Sequence, residues 1–318
     1  MDPLSDVLSL LRPHHYRAGA IDLGRPWSIR FPDQQGAIKC NALLSGECWV
    51  SVEGDATPTL MRAGDFFLLP SGRPFTLASD PGRRPVPVER AVDLGARTPI
   101  NEINGGGDAL LVSSHFKLAE DAAPLLTAVL PPVVHVRSDA EDAMHLRRFV
   151  ELILRELREP RPGGSLIAGH LSQLMLVQTL RLHQAEGGEG LGWLSAMADR
   201  RLGAAVAAMH DDPAHRWTLQ SLAGRAGMSR SVFARRFREV VGETPMEYLT
   251  RWRMLRAGDR LARAGDPVSV VAASLGYDSD SAFSTAFKRT MGASPRDYVR
   301  RRGAEADPAA RSIAASGH

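Results

Sequence analysis

The run Ser229-Arg-Ser-Val-Phe233-Ala-Arg-Arg-Phe237-Arg-Glu-Val-Val-Gly242-Glu-Thr-Pro245-Met-Glu-Tyr248 returns fifty residues later as Ser279-Asp-Ser-Ala-Phe283-Ser-Thr-Ala-Phe287-Lys-Arg-Thr-Met-Gly292-Ala-Ser-Pro295-Arg-Asp-Tyr298. With Ala223 recurring as Ala273 there are eight identities at one shift. Coincidence does not produce that. Two copies that each read as helices mark a duplicated helical unit rather than a solenoid or a propeller.

Each copy carries its own starts and stops. Thr218 caps a short helix holding Leu219, Leu222 and Ala223; Gly227 ends it, and Ser229 opens a second helix reaching Val241 before Gly242. In the second copy Asp266 is the expected cap, Pro267 the first helical residue, Gly276 the turn and Ser279 the next cap. The pattern in both is helix, tight turn, helix. At helical spacing Phe233, Arg236, Phe237 and Val240 share one face of the first copy's second helix, and Ser231, Ala234, Arg235 and Arg238 share the other. In the second copy Phe283, Phe287 and Thr290 point in, leaving Ser281, Ser284, Thr285 and Lys288 outside. Thr244 and Pro245 start a long helix between the copies, expected to reach Arg263 and to span about 28 Å at about 1.5 Å per residue. Such a spacer suits two recognition helices set about 34 Å apart, one turn of duplex DNA.

Charge follows the repeats. Residues 197–302 hold 19 Lys and Arg against 11 Asp and Glu, a net of +8, while the rest of the chain carries −5. Only the repeat region is suited to a polyanion, and such binding weakens steeply with salt.

The motifs Trp217-Thr-Leu-Gln-Ser-Leu-Ala, Gly227-Met-Ser229, Phe233-x-x-x-Phe237, Gly242-x-x-Pro245-x-x-Tyr248 and Leu275-Gly276-Tyr277-x-Ser279, with the second copy's Phe283, Phe287, Gly292, Pro295 and Tyr298, resemble the DNA-binding domain of the AraC/XylS transcriptional regulators. The resemblance covers the last third of the chain. It implies a domain of seven helices, from about Asp199 to Arg302, that binds double-stranded promoter DNA through two major-groove insertions. By position it places base contacts on Ser231, Ala234 and Arg235 and on Ser281, Ser284 and Thr285, with Arg230, Arg238 and Lys288 beside them. Ala234 has no hydrogen-bonding group and meets at most a thymine methyl.

From Gly19 to Phe116 the sequence changes to short β-rich runs: 26–32, 37–44, 48–53, 66–70 and 108–112, parted by turn signals such as Ser45-Gly46 and Ala63-Gly64-Asp65. This indicates a sandwich or barrel. Gly46-Glu-Cys-Trp-Val followed by Arg62-Ala-Gly64-Asp65-Phe-Phe-Leu-Leu-Pro70-Ser-Gly72-Arg-Pro74 resembles a cupin, a double-sheet jelly roll. In AraC-type proteins such a domain implies small-molecule sensing and a part in dimer formation. Metal-using cupins need clustered imidazoles and carboxylates. Phe75 stands where such a cupin places its histidine, and only His14, His15, His115 and His135 lie in the region, so no metal, cofactor or catalytic group is expected. Trp27, Trp49, Phe67 and Phe75 are candidates to line an apolar or aromatic ligand, or to be simple core. Cys40 and Cys48, the only cysteines, fit no zinc spacing; reduced structural thiols are one reading and a redox pair the other.

The fold class is thus α+β, with an N-terminal jelly-roll barrel, a helical connector and a C-terminal all-α domain carrying two helix-turn-helix units. Expected boundaries are 1–116 for the cupin-like domain, 117–186 for the connector, 187–196 for a linker, 197–302 for the DNA-binding domain and 303–318 for a disordered tail. In the connector, Ser138 is expected to cap a helix to Arg158, and Ser165 to open one to Gln184 whose apolar surface suits a homodimer. Met1 to Leu11, with Asp2 and Asp6 and no basic segment, does not read as a secretory signal, and no apolar run is long enough for a membrane span. A cytoplasmic location is expected. The functional expectation is a transcriptional regulator that answers a small molecule or redox signal, with RNA polymerase as a further candidate partner; a cupin enzyme or ligand-binding protein tethered to DNA is the alternative.

Overall fold

The structure, a computed structural model, describes residues 2–11, 15–92, 99–119, 122–140, 143–185 and 192–306. In chain order the first elements are α1 (Pro3–Leu11), β1 (His15–Leu23), β2 (Ser28–Phe31), β3 (Ile38–Ser45), β4 (Glu47–Val52), β5 (Thr59–Arg62), β6 (Phe66–Leu69) and β7 (Phe75–Ala78). There follow β8 (Val86–Pro87), α2 (Val88–Ala91), β9 (Ile100–Ile103), β10 (Ala109–Lys117), α3 (Ala123–Thr127), β11 (Val134–Val136), α4 (Ala143–Arg158) and α5 (Gly164–Ala185). The remainder is helical: α6 (Trp193–Ala198), α7 (Arg200–Asp211), α8 (Leu219–Arg225), α9 (Arg230–Val241), α10 (Pro245–Arg263), α11 (Val268–Ser274), α12 (Asp280–Met291) and α13 (Pro295–Ala306). Two compact units result: Arg12–Gly190, and Met1–Leu11 together with Leu191–His318.

In the first unit two sheets enclose a core without closing into a continuous barrel. Six strands run in the order β11-β6-β3-β10-β1-β9 and five in the order β5-β4-β7-β2-β8. Leu23, Leu43, Phe67, Leu69 and Leu111 from the first sheet meet Ile29, Phe31, Val50, Met61, Phe75 and Leu77 from the second. Strand β4 alternates buried and half-buried residues because only one of its faces meets the core, whereas all four residues of β6 are buried. The continuous burial reflects helical cover on the outer face of the six-stranded sheet. There α5 presents small and polar residues: Ser172 Oγ lies 2.7 Å from Ser114 Oγ and also donates to the Ala168 carbonyl, and Thr179 Oγ1 donates to the Met175 carbonyl.

The connector contains a strand the sequence reading missed. Residues Val134–Val136 pair with β6, and the His135 ring sits 2.9 Å from Asp65, whose carboxylate also accepts the Arg62 and Ser138 amides. The following helix is described from Ala143 rather than from Ala140, and the Ser138 amide donates to Asp65.

The second unit corrects both ends of the expected boundaries. Helix α1, assigned from sequence to the cupin-like domain, packs with α7 and α10, burying Leu4, Val7 and Leu11. Asp6 approaches His210 Nδ1 at 3.4 Å, while His210 Nε2 bonds the Tyr248 hydroxyl at 2.7 Å and its ring stacks on Trp252 at 3.9 Å. Burial pushes the His210 pKa down to about 3, so the ring is neutral and the contact with Asp6 is polar rather than ionic. The expected linker ends early because Trp193, fully buried, and Leu194 anchor α6, and the Gly192 amide donates to the Val240 carbonyl at 2.7 Å. Residues 186–191 lie outside the described residues. So do residues 307–318 of the expected tail, whereas α13 continues through Ala306.

Candidate nucleic-acid interface

Both helix-turn-helix units form where their capping residues place them. Thr218 and Ser221 make a reciprocal capping box on α8, and the Ser229 hydroxyl accepts the Val232 amide at the start of α9. In the second unit Ser279 accepts the Ala282 amide to open α12. Helices α9 and α12 end alike, at left-handed Gly242 and Gly292. Between them Thr244 and Glu247 form a capping box, Pro245 takes the first position, and α10 runs to Arg263 as expected. Asp266 is the exception. Its carboxylate is taken by Arg260, at 3.0 Å from Nε and 2.6 Å from Nη2, and α11 starts without a side-chain cap. A two-pronged guanidinium bond outweighs one bond to a neutral amide.

The phenylalanine pairs are core. Phe233, Phe237, Phe283 and Phe287 are fully buried, and Phe237 and Phe287 each meet a tyrosine edge, Tyr248 at 5.8 Å and Tyr298 at 5.4 Å. This turns the opposite faces outward. Arg230, Ser231, Arg235 and Arg238 on α9 are exposed and Ala234 is half-buried between them. On α12, Ser281, Thr285 and Lys288 are exposed and Ser284 half-buried. Those four, with Arg289 and Ser294, line one open cleft of about 590 Å³. Thr285 Oγ1 already donates to the Ser281 carbonyl at 2.9 Å, so toward an outside partner it can only accept a hydrogen bond or offer its methyl group.

Many of the unit's cations are spent on the fold. Arg236 binds Asp199, the cap of α7, which together with two backbone amides holds that carboxyl below its ordinary range. Arg251 pairs with Glu243, Arg260 with Asp266 and Arg216 with Asp278, while Arg253 donates to the Pro213 and His215 carbonyls. The recognition faces differ. Among the described residues Arg230, Arg238 and Lys288 have no carboxylate within ion-pair distance, and Arg235 has only the loose contact with Glu239 at 3.9 Å, both side chains well exposed. Such an exposed pair is worth little and yields readily to a phosphate or a base.

In the first unit the candidate ligand residues separate. Trp27, Phe67 and Phe75 converge in the core between the sheets, but Trp49 lies on the outer face of β4, since its neighbours Cys48 and Val50 face in. The two cysteines also point to opposite sides of their sheets. Cys48 is in the core, and Cys40 faces α5 with its sulfur 3.8 Å from Thr179 Oγ1. Burial pushes both thiols up to about 12, which disfavours the thiolate that oxidants attack. A Cys40–Cys48 bond would need the sheets rebuilt. His14 lies outside the described residues, and among those described no three metal-ligating side chains converge.

Sheet sandwich and paired reading heads define the class, a protein with a β-rich domain joined to a double helix-turn-helix DNA-binding unit. The Cupin family profile matches residues 2–185 and the Helix-turn-helix domain profile residues 222–301. A putative AraC-like transcription regulator of Streptomyces antibioticus is 39% identical over 94% of this chain and 98% of its own length. The RCS-specific transcriptional activator RclR of Escherichia coli is 30% identical over 95% of this chain and 98% of its own. The DNA-binding domain of AdpA, solved in complex with a target DNA, is 33% identical over 33% of this chain and 94% of its own, with a TM-score of 0.32. The chain belongs to the AraC-like transcription regulators, with a cupin N-terminal domain and a helix-turn-helix DNA-binding domain. No described helix is long and apolar enough to cross a membrane.

Proposed function

We propose that α9 and α12 each enter a major groove of promoter DNA in the cytoplasm, with Arg235 as the principal base reader and Arg230, Arg238 and Lys288 as phosphate clamps. The observation that carries this reading is the division of cations: those facing the fold are paired, and those on the recognition faces have no ionic contact beyond the loose, exposed one between Arg235 and Glu239. Arg235 has the reach for a two-pronged bond to guanine, Ala234 suits a thymine methyl, and Ser281, Ser284 and Thr285 offer hydroxyls. The second helix carries hydroxyls and Lys288 on this face, with Arg289 at the edge of the same cleft, and discriminates less. Arg235→Ala is expected to cost about 1 to 3 kcal/mol at one promoter position and to relax the base preference there. Binding of a set of single-base promoter variants checks this; an equal loss on every variant would make Arg235 a phosphate contact instead.

The N-terminal domain is, in this reading, a sensor for a small molecule rather than an enzyme, and the protein acts as a homodimer. The surface assigned to the dimer is the outer side of α5, where Leu166, Ile167 and Leu174 are about half exposed beside half-buried Leu171 and Val177. These residues recur at helical spacing opposite the seam that packs on the sheet, and a second copy's α5 is the self-complementary occupant. Leu174→Glu should leave a folded monomer by sedimentation; an unchanged dimer would remove α5 from the interface. Contact with RNA polymerase completes the proposal for any promoter this chain activates.

A further inference from the structure

The inner face of the six-stranded sheet changes character along its length. At one end Leu23, Leu43, Ala109 and Leu111 join the core. At the other, the same face carries Arg17 on β1, Lys39 and Asn41 on β3, and Ser113, His115 and Lys117 on β10. Strand register makes them neighbours: His115 lies between Lys39 and Arg17, and Ser113 between Asn41 and Gly19. Lys39 faces inward, opposite Leu69, with its ammonium 4.5 Å from the centre of Phe31 and 5.0 Å from that of Phe75. Those two rings are stacked 4.5 Å apart.

This end of the sandwich is basic, and no anionic partner stands beside its cations among the described residues. Among the described residues Arg17, Lys39 and Lys117 have no carboxylate within ion-pair distance. Burial lowers the Lys39 ammonium to about 8; burial and then the charges of Lys39, Lys117 and Arg17 lower His115 to about 4. His115 Nε2 and Asn41 Nδ2 are buried without a hydrogen-bond partner. Gly19 supplies no side chain to fill the floor, where only the Pro99 carbonyl oxygen stands within 4 Å of a would-be Cβ. Buried polar atoms without a partner, and a half-enclosed cation with only ring faces beside it, are costly to a fold, and a bound anion offsets the cost.

We propose that this end of the sandwich binds a small organic carboxylate, its charge on Lys39 with His115 and Asn41 as hydrogen-bond partners, its apolar body beside the Phe31–Phe75 stack. The inference rests on the reading of this domain as a sensor and names the chemistry that sensor takes. Lys39 and His115 supply the recognition that the four aromatic candidates do not.

The test is calorimetric titration of the full chain with acetate, butyrate, octanoate, benzoate and phenylacetate, with benzyl alcohol and inorganic phosphate as controls. At least one carboxylate with an apolar body should bind, benzyl alcohol should bind at least about tenfold more weakly, and Lys39→Met should lose at least about tenfold, the usual effect of removing a charged hydrogen-bond partner. Lys39→Arg should retain binding. If Lys39→Met does not fold, His115→Gln takes its place and should weaken the carboxylate but not the alcohol. Equal binding of acid and alcohol, binding of phosphate alone, an unaffected Lys39→Met, or no carboxylate bound at millimolar concentration overturns the site. The sensor reading is tested separately on promoter affinity. A carboxylate that binds through Lys39 without changing DNA affinity sinks the sensor and leaves the site standing; a neutral molecule that changes DNA affinity while carboxylates do not bind does the reverse.

Discussion

Phe287→Ala is expected to lower the stability of the C-terminal unit by about 3 to 5 kcal/mol, the range for emptying a fully enclosed aromatic site. The ring has no solvent exposure and sits among Met254, Leu261, Val271 and Tyr298, with the Phe283 ring 5.7 Å and the Tyr298 ring 5.4 Å away. Those neighbours come from α10, α11, α12 and α13, so the space left behind cannot be closed by one helix moving. Native units are stable by only about 5 to 15 kcal/mol. The variant should therefore lose a large part of its stability, and with it the second reading head. Urea unfolding followed by the fluorescence of Trp193, Trp217 and Trp252 gives the number; a loss under about 1 kcal/mol would show that the aromatic face is not the core of the repeat.

A second large effect is expected at the turn of the second repeat, and the first repeat supplies its control. Gly276 has φ +79°, and a Cβ there would stand 2.2 Å from the Ala214 carbonyl oxygen. Gly227 closes the corresponding turn with φ +62° and nothing within 4 Å. Gly227→Ala should cost about 1 to 2 kcal/mol, the penalty of the left-handed backbone alone. Gly276→Ala should cost about 2 to 5 kcal/mol, because an overpacking term of about 1 to 3 kcal/mol is added against backbone that has no rotamer to change. Denaturation midpoints of the two variants compare them directly. Equal costs would mean that the segment around Ala214 gives way freely.

The repeat was legible because its signals are local. Caps, turn glycines and the phenylalanine spacing all act within one or two helical turns, so Thr218, Ser229, Thr244 and Ser279 act as their types suggest. Asp266 is the exception even within that range: Arg260, six residues earlier in α10, takes the carboxylate that would have capped α11. Helix α1 was misplaced because nine residues of amphipathic helix carry no mark of which unit they cover; that choice is made by α7 and α10, some two hundred residues away. Strand β11 is three residues long and offers no period to read.

In the N-terminal domain the register decided what composition could not. Trp49 was grouped with Trp27, Phe67 and Phe75 by residue type, yet strand alternation puts it on the other face. Conversely Lys39 and His115, 76 positions apart in the sequence, become opposite partners only when β3 and β10 pair. A lysine in a β-rich run reads as solvent-facing until the strand on either side of it is known.

The most direct measurement is hydroxyl-radical footprinting of the full chain on the DNA upstream of its own gene, with the wild type beside Arg235→Ala. Two protected tracts about 10 base pairs apart on one face of the duplex are expected, the geometry of successive major-groove insertions, with Arg235→Ala weakening the tract under α9 first. A single tract, tracts on opposite faces, or protection no stronger than on bulk competitor DNA would contradict the account.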